Sequence, residues 1–191
     1  QLTIQLPFEV KRALLPELNA RYESMEDAWG FKAARELSNA TLAGMYSLHD
    51  QSNVGEFLAA VPRVLGHFRG PGADLVFAWH FRLPCNNDWW YPNDRRFYDY
   101  SPSARQAFRD FLAKEHGGSL AKLSARWGIP LASWNDVQPP KPRFDELNLS
   151  PAWRDFQEFR VGTIAQRQGE ICRAVREVEK EKPLVCWMTT S

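Results

Sequence analysis

Apolar positions along this chain fall into three kinds of pattern. At the start, Leu2-Thr-Ile-Gln-Leu6 alternates apolar and polar residues, the period of a half-buried strand, and Pro7 stops it. Three later runs, Leu42–Leu48, Leu75–Phe81 and Leu184–Met188, are apolar almost throughout. Continuous apolarity belongs to strands covered on both faces, as in a parallel sheet. Between the runs, apolar residues recur every three or four positions and predict amphipathic helices. Phe57, Leu58, Val61, Val64, Leu65 and Phe68 share one such face. Asn53 reads as its N-cap with Glu56 in capping-box position, and Pro62 predicts a kink or a late start. Gly70-Pro-Gly72 then turns the chain into the second apolar run.

Ser101-Pro102 and Ser150-Pro151 each set a capping hydroxyl before a proline at the first helical position. The first of these helices points Ala104, Ala107, Phe108, Phe111 and Leu112 inward. The second is long, carries Phe156, Ile164, Ile171, Val175 and Val178 on one side, and ends before Pro183. Ser119 caps a short helix holding Leu120, Leu123 and Trp127, and Gly128 stops it. The charged, weakly periodic residues after Pro7 read as short helices. The whole is an α/β protein with a parallel sheet: an N-terminal strand and short helices over 1–41, then β-α-β-ααα-β units over 42–191. A complete eight-stranded α/β barrel takes about 250 residues. With 191 residues and three or four strands, the expectation is part of a (β/α)8 TIM-type barrel, incomplete in this chain.

Charge narrows the function classes. Lys+Arg number 24 against 23 Asp+Glu, a net +1, so a nucleic-acid partner held by phosphate neutralisation is excluded. A hydrophobic share of 44% and a charged share of 25% exclude intrinsic disorder. No apolar run approaches the ~18 residues of a membrane span, and no signal peptide is read, so no membrane partner is expected. Cys85, Cys172 and Cys186 lie far apart without CxxC or His-rich spacing, and neither a metal nor an organic cofactor is implied. The aromatic share is high, at 13% with 8 Trp. Trp89, Trp90, Tyr91, Phe97, Tyr98 and Tyr100 crowd into one short stretch.

In parallel α/β folds, sites gather beyond the carboxyl ends of the strands. His49-Asp50 follow the first apolar run, Arg82 and Asn86-Asn87-Asp88 the second, and Thr189-Thr190 the third. A carboxylate and amides beside indole and phenol rings suit a carbohydrate. Sugar C–H faces lie on flat rings, while hydroxyls bond to Asp, Asn, Arg and His. Rings that exclude water also raise the pKa of a nearby carboxyl, as a general acid requires. Asp88 is accordingly the candidate catalytic acid. Asn87, His49, Asp50, Arg82, Trp89, Trp90 and Tyr91 are the candidate substrate-binding residues. The same residue types serve as caps and turn formers, an alternative that stands for Asp50, Asn53 and 86–88. Trp79, Trp127 and Trp153 read as core, His80 as a buried histidine, and His67 and His116 as helix-surface residues.

One longer run adds to this. Tyr98-Asp-Tyr-Ser-Pro-Ser-Ala is followed by Phe108-Arg-Asp-Phe-Leu, His116-Gly-Gly-Ser-Leu-Ala-Lys-Leu, Ala125-Arg-Trp-Gly128 and Ser133-Trp-Asn-Asp-Val-Gln-Pro-Pro140. The series resembles the stretch after the fourth strand of the β-galactosidase-type enzymes of glycoside hydrolase family 42. The resemblance continues through Asp155-Phe156 and Phe159-Arg160, covering about residues 75–190. It implies a retaining glycosidase on a (β/α)8 barrel acting on a β-linked glycan, with two carboxyl groups about 5 Å apart. The family carries an Asn-Glu pair at the end of the fourth strand. Here the direct counterparts are Leu83 and Pro84, and the nearest candidate pair is Asn87-Asp88. The family's nucleophile lies on the seventh strand, and no residue here is assigned to it. Further barrel strands of the same polypeptide, or an oligomer partner, are expected neighbours. Two other readings stay open: a carbohydrate-binding relative that lost the acid, and an assembly domain whose strand edges pair with another chain.

Overall fold

The computed structural model describes residues 2–7, 21–32, 34–37, 41–44, 46–70, 73–82, 99–142 and 150–186. Strands β1 (Leu2–Pro7), β4 (Val76–Arg82) and β5 (Leu184–Cys186) form a parallel sheet in the order β1-β4-β5. The pairing of β1 with β4 slips once, from Leu2↔Val76 to Thr3↔Ala78, leaving Phe77 without a partner on β1. A bulge of this kind resets the alternation of faces. Val76 and Trp79 accordingly join one core cluster, while Phe77 is 53% exposed.

Helix α1 (Gln51–His67) returns the chain from β1 to β4. After β4 come α2 (Pro102–Glu115), α3 (Leu120–Trp127) and the 28-residue α4 (Pro151–Val178), which leads into β5. Each starts where a serine hydroxyl was expected to cap it. Ser101 accepts from Ala104 N–H, Ser119 from Lys122 N–H and Ser150 from Trp153 N–H, at 3.2–3.3 Å. Gly128 closes α3 at φ 69°, and its N–H donates to the Ser124 carbonyl.

Three expectations need correcting. The run 42–48 is not a strand of the parallel sheet. Among its described residues the strand is confined to Thr41–Gly44 (β3), which pairs antiparallel with β2 (Ala34–Leu37). The apolarity of the run has another origin: Tyr46 and Leu48 are buried in the turn that leads to α1. Of the stretch read as short helices, 8–20 lies outside the described residues, and the described residues of 24–37 are not helical; Ser24 bridges to Tyr46 and Glu26 to Lys32 beside that hairpin. Lastly, α1 is capped by Asp50 instead of Asn53, since the Asp50 carboxylate accepts from Ser52 N–H at 3.0 Å. Asn53 is buried in the first turn, and Glu56 accepts from Tyr22 and Arg21. The helix runs through Pro62 without interruption.

Two core clusters result. In one, Val54, Val61 and Leu65 of α1 pack on Ile171 and Val175 of α4 and on Val76 and Trp79 of β4. In the other, Phe108, Leu112, Leu123, Trp153, Phe156 and Phe159 join α2, α3 and the first half of α4. Arg69, just past the end of α1, donates to the carbonyl of Val178, so both crossover helices finish together beside the amino ends of the strands. At about 1.5 Å per residue, α4 is longer than the 17-residue α1 by some 16 Å. Its first half therefore projects past the start of α1, on the side where the strands end.

Candidate functional site

That projecting half of α4, the start of α1 and the body of α2 surround the turn 47–50. Of the eight residues singled out from sequence, His49 and Asp50 lie here as neighbours. Arg82 closes β4 in register with Pro7, the last residue of β1. Asn87, Asp88, Trp89, Trp90 and Tyr91 lie outside the described residues, as do Thr189 and Thr190. Tyr100, the described member of the aromatic stretch, is core: its ring meets Phe156 at 5.1 Å and its hydroxyl donates to the Pro140 carbonyl.

The turn is built from buried polar groups. The Asp99 carboxylate, set between Tyr98 and Tyr100 of the aromatic stretch, accepts from Ser47 Oγ at 2.6 Å, Ser101 N–H at 2.9 Å and Glu26 N–H at 3.2 Å. The Ser101 hydroxyl donates to that of Ser47 at 3.0 Å, so the cap of α2 and the turn share one network. Full burial pushes the Asp99 carboxyl up to about 6, against the opposing pull of its hydrogen bonds from Ser47, Ser101 and Glu26. Asp50 holds two backbone donors, Ser52 N–H in the cap and Glu23 N–H at 2.7 Å.

His49 lies under the helices. Its ring stacks on Phe159 of α4 with centroids 5.0 Å apart and 14° between planes. Burial first, then the nearby Arg167 charge, lowers its pKa to about 4, so the imidazole is neutral at physiological pH. Its Nε2 is buried and has no hydrogen-bond partner among the described residues. Arg167, itself buried, donates from Nε to the Leu48 carbonyl at 2.8 Å and from Nη1 to Glu170 at 2.5 Å. Outside this turn, His67 is exposed, Trp79 and Trp153 are buried core residues, and Trp127 donates its Nε1–H to Asp155 at 2.8 Å.

Asp99 and Arg167 were not among the sequence candidates. Arg167 left a trace: it falls on the same stripe of α4 as Ile164, Ile171 and Val175, where a charged residue calls for a buried partner. Asp99 left none, because its partners Ser47 and Glu26 are 52 and 73 residues away in sequence.

Parallel strands joined by crossover helices, with buried polar groups on the side where the strands end, define part of a TIM-type barrel. The sequence profile of glycoside hydrolase family 42, the β-galactosidase family, matches residues 74–191, and the chain belongs to that family. Among solved structures, a β-galactosidase from the psychrophilic Marinomonas ef1 aligns with 97% of this chain at 18% identity and a TM-score of 0.72. The catalytic domain of a β-amylase from Paenibacillus polymyxa aligns with 87% at 20% identity and a TM-score of 0.57. A β-amylase from Niallia circulans is 32% identical over 71 residues, 37% of this chain and 12% of that protein. The chain spans 27% of the Marinomonas structure and 41% of the Paenibacillus domain.

Proposed function

We propose that this chain supplies the acid half of a retaining glycosidase site that cleaves a β-linked galactoside. Asp88, protonated, gives its proton to the glycosidic oxygen as the bond to C1 breaks. A second carboxylate, about 5–5.5 Å away and not assigned to a residue here, attacks C1 and forms the glycosyl-enzyme. Asp88, now ionised, takes a proton from the water that releases the sugar. Asn87 bonds the 2-hydroxyl; Arg82, His49 and Asp50 bind further hydroxyls; Trp89, Trp90 and Tyr91 stack on the C–H faces.

The observation that carries this reading is family membership from residue 74 onward, joined to the topology. β4 is the central strand of the parallel sheet and runs directly into the segment bearing Asn87-Asp88, from the end where barrel sites gather. The test is Asp88→Asn in the intact protein. Turnover of a natural β-galactoside should fall at least about 10²-fold, the usual weight of general acid–base catalysis. An activated aryl galactoside, whose leaving group needs less protonation, should suffer less. Near-normal turnover of both would remove Asp88 from the role.

A second reading is favoured by Leu83-Pro84 standing where the family has Asn-Glu: a sugar-binding relative that kept the aromatic stretch and lost the acid. It predicts saccharide binding with no turnover of either substrate by the wild type.

A further inference from the structure

Beside His49 lies a cleft of about 450 Å³, walled by the start of α1, by α2 and by the middle of α4. We propose that this cleft is a saccharide subsite, holding one glycosyl unit of a glycan against His49, Phe111 and Gly162. The proposal rests on the reading of the protein as a glycoside hydrolase, and no residue of the sheet takes part in it.

Three features point to an uncharged, hydroxyl-rich ligand. First, the buried Nε2 of His49 has no partner among the described residues, although a buried polar nitrogen left unpaired is costly. A neutral imidazole suits a hydroxyl, which both donates and accepts, better than it suits an anion. Second, the charges of the lining balance. Arg167 is engaged by Glu170, while Asp110 and Lys114 offset one another a turn apart on α2. The half-buried Phe111 adds an apolar surface for C–H groups. Third, Gly162 sits inside α4, where glycine is disfavoured, and a Cβ built on it meets no atom within 4 Å. None of the described residues requires glycine there sterically. Its missing side chain leaves the wall of the cleft open.

The test follows the His49 Cε1–H resonance of the intact protein during titration with isopropyl β-D-thiogalactoside, which resists hydrolysis. The chain has 4 His, and loss of one peak in His49→Gln assigns the signal. The peak should move saturably. Gly162→Leu, which fills the cleft, should weaken the apparent affinity at least about tenfold. Gln51→Ala, from the facing rim, should weaken it too, and serves where the leucine variant fails to fold. A His49 peak unmoved at the solubility limit of the sugar overturns the proposal, as does a shift that survives both substitutions. Hydrolysis of nitrophenyl β-D-galactoside is read separately. Turnover with a silent His49 sinks the subsite and removes His49 from the hydroxyl-binding residues while leaving the acid role of Asp88 standing, whereas a moving His49 without turnover sinks the catalytic reading and leaves the subsite standing.

Discussion

Asp99 and His49 belong to the same network, and their titrations oppose one another. Burial raises the Asp99 pKa from 3.8 to about 6, so across that interval the folded state holds more protons than the unfolded one. Stability from this group falls as the pH rises through the window. Burial and Arg167 lower the His49 pKa from 6.5 to about 4, so there the unfolded state holds more protons. Stability from His49 is lost as the pH falls through its window. Each term is on the order of 3 kcal/mol at full extent. Relative to wild type, Asp99→Asn should gain stability as the pH rises from 3.8 to 6, and His49→Gln should gain as it falls from 6.5 to 4. Urea unfolding at a series of pH values checks both, and difference curves that stay flat across these windows would contradict the assignment. Sequence could reveal Ser101, Ser119 and Ser150, because a cap is a local device made by a hydroxyl and the residues just after it. It could not reveal Asp99, whose role exists only once distant segments have met.

Among the elements, α3 packs on α4 through Leu123 and is tied to it by one polar side chain. Asp155 on α4 accepts from Nε and Nη2 of Arg126 and from Nε1 of Trp127. Burial alone would raise its pKa, but the bonds from Arg126 and Trp127 more than offset this and lower it. Asp155→Asn removes the charge and replaces an acceptor oxygen with a donor, so it should cost about 1–3 kcal/mol. Gly162→Ala acts in the opposite direction on the same helix. With open space around the new methyl, it should stabilise by about 0.5–1 kcal/mol. Urea midpoints of the two variants should therefore move apart, and a fall for both would mean that the backbone at Gly162 does not tolerate a side chain. The helices were legible because their 3.6-residue stripes span several turns. The run 42–48 was misread because a short apolar run carries no period, and here Tyr46 and Leu48 are buried in a turn instead of a sheet.

For the whole molecule, crossover topology says which side of the sheet is used, and the strand–helix order made that legible without coordinates. What pattern alone could not supply is the pair of carboxylates: after Arg82 the chain reads Leu83-Pro-Cys-Asn-Asn-Asp88, and nothing local to that run gives Asp88 a partner. An activated 2-deoxy-2-fluoro galactosyl fluoride separates the catalytic reading from the binding one. Fluorine at C2 destabilises the oxocarbenium-like transition states of both steps, while the fluoride leaving group needs little protonation, so the first step outruns the second. The intact protein should gain one covalent fluorogalactosyl group, located by peptide mapping on a carboxylate other than Asp88. Asp88→Asn should still be labelled, because the acid is dispensable for fluoride departure, yet its adduct should decay more slowly for want of a base to activate water. An adduct on Asp88 itself would make that residue the nucleophile. Binding without any adduct would leave only a protein that holds sugar, with its rings and amides in use and its acid lost.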